Sequence, residues 1–241
     1  VKAFDTNGQG SYANVIRGLD WILANKATYN IRVLNLSFGA IPQSSYWNDP
    51  VNKAVMKLWH AGVVIVASAG NWGPYAQTIT APGNVPYVIT VGAMTDNYTP
   101  SNRADDRLAS FSSTGPTHEG FVKPEVVAYG GHVTGIMAPT MKIPTQHPEF
   151  QFSYSGVREY FTMSGTSQAA AVATGAVALM LQAQPSLTPD QVKCKLMSSA
   201  AAAIDGSGKL AYSVFQQGAG QINALAAVLN PYSNCGNAGL N

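Results

Sequence analysis

The sequence predicts an α/β domain, a doubly wound and mostly parallel sheet with helices on both faces. Two kinds of segment carry this expectation. Val63-Val64-Ile65-Val66-Ala67 is an unbroken β-branched run, and residues 87–93 repeat the pattern. Strands buried on both faces of a parallel sheet read this way, whereas strands with one wet face alternate. Between such runs lie segments whose apolar residues recur at helical spacing, and strand alternating with helix signals a parallel sheet covered on both sides. Size is consistent too: 241 residues, 46% hydrophobic and 10% aromatic, suffice for one large core. Ligands of such sheets bind beyond the carboxyl ends of the strands, which directs attention to the loops after Leu36 and Ala67.

Taken in order, Val1-Lys2-Ala3-Phe4 reads as a strand already under way, followed by the loop 5–10. Residues 11–25 place Val15, Ile16, Leu19, Ile22 and Leu23 on one helical face, with Ser11 as the N-cap. Residues 31–36 form a strand that turns at Ser37-Phe38-Gly39, and residues 51–60 a helix closed by Gly62. After the two buried strands the chain turns irregular over 96–160, with no clear period in 138–160. Residues 166–182 resume as an Ala-rich helix; 188–199 form a second, opening Thr188-Pro189-Asp190, and 221–229 a third. No internal repeat or composition shift marks a second domain, so one domain over 1–241 is expected.

Composition excludes several functions. Fourteen Lys and Arg against 12 Asp and Glu leave a net charge of +2, too little to grip nucleic acid. The longest apolar helical stretch, 169–181, falls short of the roughly 20 residues that span a bilayer, so no membrane partner is expected. Only 11% of residues are charged, against about 25% in an average soluble domain, and 23 Gly with many Ser, Thr, Asn and Gln carry the polarity. That profile leans towards a secreted hydrolase. Cys194 and Cys235 allow one intramolecular bridge; a buried Cys194 with a free tail thiol at Cys235 is the other reading, and both stay open.

Two blocks carry chemistry. In Thr162-Met163-Ser164-Gly165-Thr166-Ser167-Gln168-Ala169-Ala170-Ala171 a turn of small residues runs straight into a helix, with Ser167 on its first turn. Backbone N–H groups are unpaired there and the helix dipole is positive, so an oxyanion forming beside Ser167 would be stabilised. The second block, Val63 to Asn71, puts the Asn71 amide just past a buried strand, where it could donate to such an oxyanion. Taken singly, Ser167 could be a helix cap and Asn71 a turn former.

Together the blocks resemble the subtilisin-like serine proteases, the subtilases. Asn35-Leu36-Ser37-Phe38-Gly39 is similar to the family's Asn-x-Ser-x-Gly segment, Ser68-Ala69-Gly70-Asn71 to its oxyanion block and Ser164-Gly165-Thr166-Ser167 to its nucleophile block. Residues 1–22 resemble its strand, Gly-x-Gly loop and helix, and Pro82-Gly83, residues 123–128 and Gly218 to Ala224 also resemble family stretches. The resemblance implies a serine endopeptidase acting through an acyl-enzyme on Ser167, with Asn71 and the Ser167 N–H as oxyanion donors. Gly8, Gln9 and Gly10 with Ser37, Phe38 and Gly39 would pair with an extended peptide as an added strand. Ser68, Ala69 and Gly70 with Ser37, Phe38 and Gly39 would wall the primary specificity pocket. These segments hold no acid and Trp72 follows Asn71, which favours apolar or aromatic side chains. The sequence departs from many subtilases at Gln168, Ala171 and Val172, where Met, Pro and His are common.

The same resemblance implies a general base and a group orienting it, a His in a His-Gly-Thr-His block and an Asp in an Asp-x-Gly turn. Neither block occurs here, and His60, His118, His132 and His147 are each unsuited: the first closes a helix, two lie in Pro-rich loops, and His132 follows the oxyanion Asn where the family's His precedes it. The expectation is therefore a catalytic domain incomplete at its N-terminus, lacking its N-terminal strands, with Asp and His supplied by an N-terminal segment as a separate chain. By itself the chain is expected to be inactive; an inactive, subtilase-like peptide-binding scaffold is the alternative. Expected partners are an extended peptide or protein substrate and, by analogy, a propeptide inhibitor. Catalysis needs no cofactor; structural calcium is conceivable, with Asp96, Asp105 and Asp106 a weak candidate group. Asn97-Tyr98-Thr99 is a glycosylation sequon.

Overall fold

The structure, a computed structural model, describes residues 1–240, the side chains of residues 157 and 158 excepted. Helix α1 (Tyr12–Asn25) starts where the Ser11 hydroxyl accepts the Asn14 N–H, and Val15, Leu19 and Ile22 form its buried stripe. Strand β1 (Val33–Leu36) follows, then helix α2 (Pro50–His60), whose N-cap Asp49 accepts the N–H groups of Val51 and Asn52. Next come β2 (Val64–Ser68) and β3 (Ile89–Thr95), the short β4 (Arg107–Leu108) and β5 (Val126–Tyr129). Strands β1, β2, β3 and β5 run parallel in that spatial order, with Leu34 opposite Ile65, Val66 opposite Ile89 and Val91 opposite Val126; β4 pairs antiparallel with the end of β3. Every residue of β2 is buried, as its β-branched run predicts.

A second, antiparallel sheet of order β6-β8-β7 comprises β6 (Val133–Ile136), β7 (Gln151–Tyr154) and β8 (Val157–Met163), with helix α3 (Lys142–Gln146) in the β6–β7 connection. Strand β8 leads through Ser164 and Gly165 into α4 (Thr166–Ala183), the longest helix, which lies across β1, β2, β3 and β5. Ala169, Ala170 and Ala173 are fully buried beneath it, and their small side chains let the helix backbone approach the sheet closely. Helices α5 (Pro189–Ser198), α6 (Val214–Gln217) and α7 (Ala224–Leu229) complete the fold. Thr188 and Gln191 form a reciprocal cap at the start of α5. Cys194 and Cys235 are bridged, which settles the open choice and pins the tail to α5.

Three expectations are corrected. Residues 1–4 form no strand: Val1 is 75% exposed, and Phe4 instead leans on Phe38 with ring centroids 5.2 Å apart. A strand exists by pairing, and β1 ends the sheet, so no described strand offers residues 1–4 a partner. Within the stretch expected to be irregular, the second sheet is regular but largely exposed; Ile136 and Tyr154 are more than 70% exposed while Phe161, on the face opposite Ile136, is buried, so apolar residues occupy both faces and no alternation of apolar and polar residues announces it. The last helix begins at Ala224, not 221, because Asn223 caps it while Gln221 bridges Ala201 and Val127.

Candidate active site at the tip of helix α4

The carboxyl ends of β1 and β2 and the N-terminus of α4 meet around Ser167. Its hydroxyl, half-buried, donates to the Ser37 carbonyl at 3.2 Å, and the Ser37 hydroxyl donates to the Ser167 carbonyl at 2.8 Å. Asn35 braces this exchange: its Nδ2 donates to Ser37 Oγ at 2.8 Å while its Oδ1 accepts the Thr174 hydroxyl from two turns further along α4. The helix tip is thus locked to the end of β1 through side chains of the Asn-x-Ser segment.

Asn71 is held from one side only. Its Oδ1 accepts both the N–H and the hydroxyl of Thr166 at 2.9 Å, and Thr166 Oγ1 accepts the Gly70 N–H at 3.2 Å. Nδ2 makes no hydrogen bond among the described residues, so fixing the oxygen aims the amide nitrogen outward. A methyl placed on Gly165 would lie 3.4 Å from Asn71 Nδ2 and 3.7 Å from the Ser167 backbone nitrogen. Ser167 is the second residue of α4 and its N–H has no carbonyl partner in the helix. Two donors therefore flank one small space, and an oxyanion in it would be met by both. Gln168 edges this space from the other side, its Oε1 2.8 Å from the same methyl position.

The expected substrate walls also converge. Ser68 Oγ donates to the Phe38 carbonyl at 3.4 Å, tying β2 to the turn after β1. Gly70 has φ +111°, and a Cβ there would come within 2.7 Å of Ser113 Oγ, so backbone conformation and space both demand glycine. Gly8, Gln9 and Gly10 are exposed, and Phe4, which packs on Phe38, lies directly against Gly10. Two further residues, not evident from the sequence, shape this region. Thr166 orients Asn71, although its block was in view. Buried Thr80 fills the floor between Gly39 and Gly70, its hydroxyl donating to the Ala69 carbonyl at 3.3 Å. Only proximity reveals Thr80. Trp72 stands half-exposed at the rim, its N–H donating to Ser113 Oγ.

None of the four histidines is bonded to Ser167. His60 packs on Tyr87, His132 stacks on Tyr98 at 3.7 Å, His147 pairs with Glu149, and His118 lines a surface cleft with Tyr46 and Glu119. The carboxylates of Asp96, Asp105 and Asp106 are engaged separately, with the Tyr98 N–H, the Thr99 hydroxyl and the Tyr129 hydroxyl. Among the described residues no three His, Cys, Asp or Glu gather as a metal site would require, and no described helix is long and apolar enough to cross a membrane.

A doubly wound α/β domain with a serine at a helix tip, facing a side-chain amide across the strand ends, defines a narrow class of protein. The sequence profile of the subtilase family matches residues 1–220. The chain belongs to that family. Serine protease AprX of Bacillus subtilis (strain 168) is 40% identical over 198 residues, covering 80% of this chain and 44% of AprX. Subtilisin DY of Bacillus licheniformis is 31% identical over 229 residues, covering 94% of this chain and 66% of that relative. The chain thus spans less than two thirds of either relative's length. Among solved structures, the Prenylagaramide maturation protease PagA aligns with a TM-score of 0.66 at 21% identity, covering 92% of this chain and 68% of PagA. The S41 psychrophilic protease aligns with a TM-score of 0.69 at 23% identity, covering 90% and 65%. These two likenesses carry the fold alone.

Proposed function

We propose that this chain is the nucleophile-bearing part of a serine endopeptidase that hydrolyses extended peptides through an acyl-enzyme on Ser167. The observation that carries this is the space at Gly165 flanked by Asn71 Nδ2 and the Ser167 N–H. In the reaction Ser167 Oγ attacks the scissile carbonyl, its proton passes to the base, and both donors take the charge that develops on the carbonyl oxygen. Asn71 and the Ser167 N–H act only on that charge, so their effect falls on kcat. Ser37, whose carbonyl holds the resting hydroxyl, releases it as the base engages.

The base and its orienting carboxylate are proposed to come from polypeptide N-terminal to Val1. Three features support this. No histidine of the chain is bonded to Ser167; the outer edge of β1 pairs with no described strand; and α4 leaves Ala171, Val172, Gly175, Ala178 and Leu179 exposed on one face, an apolar stripe suited to cover by another element. Residues 37–39 and 68–70, with Thr80 packed between them, carry no charge, so the acyl-side pocket they are proposed to wall suits an uncharged side chain. Secretion is supported by the Cys194–Cys235 bridge, since disulfides persist in oxidising compartments. The scaffold reading rests on the resting hydrogen bond of Ser167 to a carbonyl and not to a base.

Hydrolysis of internally quenched peptides separates the readings. The protein carrying its N-terminal segment cleaves them and its Ser167→Ala variant does not, whereas residues 1–241 are silent until that segment is added. A folded, extended protein that cleaves nothing favours the scaffold.

A further inference from the structure

We infer that the cleft between the loop after β1 and the turn at residues 117–121 is a docking site for an arginine side chain of a protein substrate, gripped away from the bond that is cut. The occupant's role as substrate rests on the peptidase reading above; the preference of the cleft for a guanidinium does not. The cleft has a volume of about 670 Å³ and is walled by Pro42, Tyr46 and Trp47 on one side and by His118, Glu119 and Phe121 on the other. Gly165, Ser167 and Asn71 do not line it, so it is separate from the oxyanion space. Tyr46 stands edge-on to both Trp47 and Phe121, with ring centroids 5.1 and 5.6 Å away, and Trp47 is 51% exposed. Three aromatic rings are thus gathered beside one carboxylate.

That carboxylate is held but not neutralised. Glu119 Oε1 accepts the Tyr46 N–H at 2.8 Å, while Oε2 is buried and has no hydrogen-bond partner among the described residues. No described Lys or Arg forms an ion pair with Glu119. A buried carboxylate oxygen without a donor costs stability, and a charged donor offsets that cost best. The turn carrying Glu119 is fixed: the Thr117 N–H donates to the Phe121 carbonyl at 3.0 Å, the Gly120 N–H donates to the Thr117 carbonyl at 2.9 Å, and Gly120 has φ +88°. Rings and carboxylate therefore stand in place before any ligand arrives, which keeps the ordering cost of binding low. Aromatic faces attract a cation and the carboxylate pairs with it, so the cleft selects positive charge. A guanidinium suits it better than an ammonium, being planar, able to stack on rings and weakly hydrated, with its N–H groups in a rigid fork. The aromatic wall begins three residues after Gly39, on a loop bridged to Ala81 through Ala40. The polypeptide within its reach is thus one that lies along residues 37–39, the substrate.

Two measurements test this on the full protein with its N-terminal segment. In the first, with Ser167→Ala to prevent turnover, calorimetric titration compares acetyl-Gly-Arg-Gly-amide with its citrulline counterpart, similar in shape but neutral, and with its lysine counterpart. The arginine peptide is expected to bind at least about 10-fold tighter than the citrulline peptide, with the lysine peptide in between. Glu119→Gln, which keeps an oxygen for the Tyr46 N–H, and Trp47→Ala, at a half-exposed position, each bring the arginine-to-citrulline ratio under about threefold. Equal affinity for arginine and citrulline, a ratio indifferent to both variants, or lysine binding as tightly as arginine overturns the inference. In the second, the active protein cleaves reduced and carboxymethylated lysozyme, either native in its arginines or with them converted to citrulline. KM is expected to be about fivefold lower for the arginine form with kcat little changed, because a remote grip is the same in ground and transition states, and Glu119→Gln removes the difference. A preference in the titration that leaves KM unmoved shows that the occupant is not the substrate and overturns the inference. If the protein neither takes up a fluorophosphonate nor cuts either form, the peptidase reading fails and the substrate role with it, while the titration still reads the cleft by itself.

Discussion

Gly165→Ala is the sharpest probe of the oxyanion space. Gly165 has φ 161°, an extended conformation open to any residue, so the substitution carries no backbone strain. The added methyl would stand 3.4 Å from Asn71 Nδ2 and 3.7 Å from the Ser167 nitrogen. A hydrogen-bonded oxyanion must sit about 2.7–3.1 Å from each donor, and the methyl fills that volume. The only close contact is with Gln168 Oε1 at 2.8 Å, the far end of a flexible side chain that can swing away. Stability should therefore change by less than about 1 kcal/mol. Removing one oxyanion donor costs roughly 10²- to 10³-fold in kcat, a scale established on subtilisin, of this chain's own family, and borrowed from it. Blocking both donors should cost at least that, with KM little changed. Steady-state kinetics on one quenched peptide beside thermal unfolding reads both effects. A folded variant within about threefold of the parent kcat would refute the two-donor geometry.

Other substitutions and conditions follow from the same structure. Asn71→Asp keeps an oxygen for the Thr166 N–H and hydroxyl but replaces the outward donor with negative charge, so kcat should fall by at least about 100-fold with the fold intact; kinetics and circular dichroism check this, and a mild effect sinks the assigned role. Thr166→Val frees the Asn71 oxygen from one of its two anchors, and a drop in kcat larger than the change in KM is expected from the same assay. Opening the Cys194–Cys235 bridge, 41 residues apart, should cost about 3–4 kcal/mol by chain entropy, read as a lowered denaturation midpoint in the double Ala variant. Lys123 is fully buried, donating to the Val88 carbonyl, Thr90 Oγ1 and Glu125, and burial pushes its pKa down from 10.5 to about 7, against the pull of Glu125. Between pH 7 and 10.5 the unfolded chain holds a proton that the folded one lacks, so stability gains with rising pH across that window and levels off below it. Denaturant midpoints of Lys123→Met should lack this rise; an unchanged slope would show that Lys123 is not its source.

Much of this was legible from residue order alone, and the failures have identifiable causes. The buried strands announced themselves through β-branched runs such as 63–67, because burial on both faces leaves no polar position to confuse the pattern. Ser167 and Asn71 were singled out because their two blocks together resemble those of the subtilases, whereas each alone reads as a cap or a turn former. Residues 1–4 misled because their apolar character speaks to strand propensity while pairing depends on a neighbour. The sheet of β6, β7 and β8 was invisible since its apolar residues sit on both faces, with Ile136 and Tyr154 exposed and Phe161 buried. Thr80 and Thr166 act through contacts 41 and 95 residues away from Gly39 and Asn71, and no local spacing encodes those.

The most direct measurement is covalent labelling of the full protein with a fluorophosphonate, followed by mapping of the modified peptide by mass spectrometry. One adduct per molecule is expected, on Ser167, absent in Ser167→Ala and formed much more slowly in Gly165→Ala. A folded protein carrying the proposed N-terminal segment that takes up no label, or takes it up on another residue, would contradict the assignment of Ser167 as nucleophile.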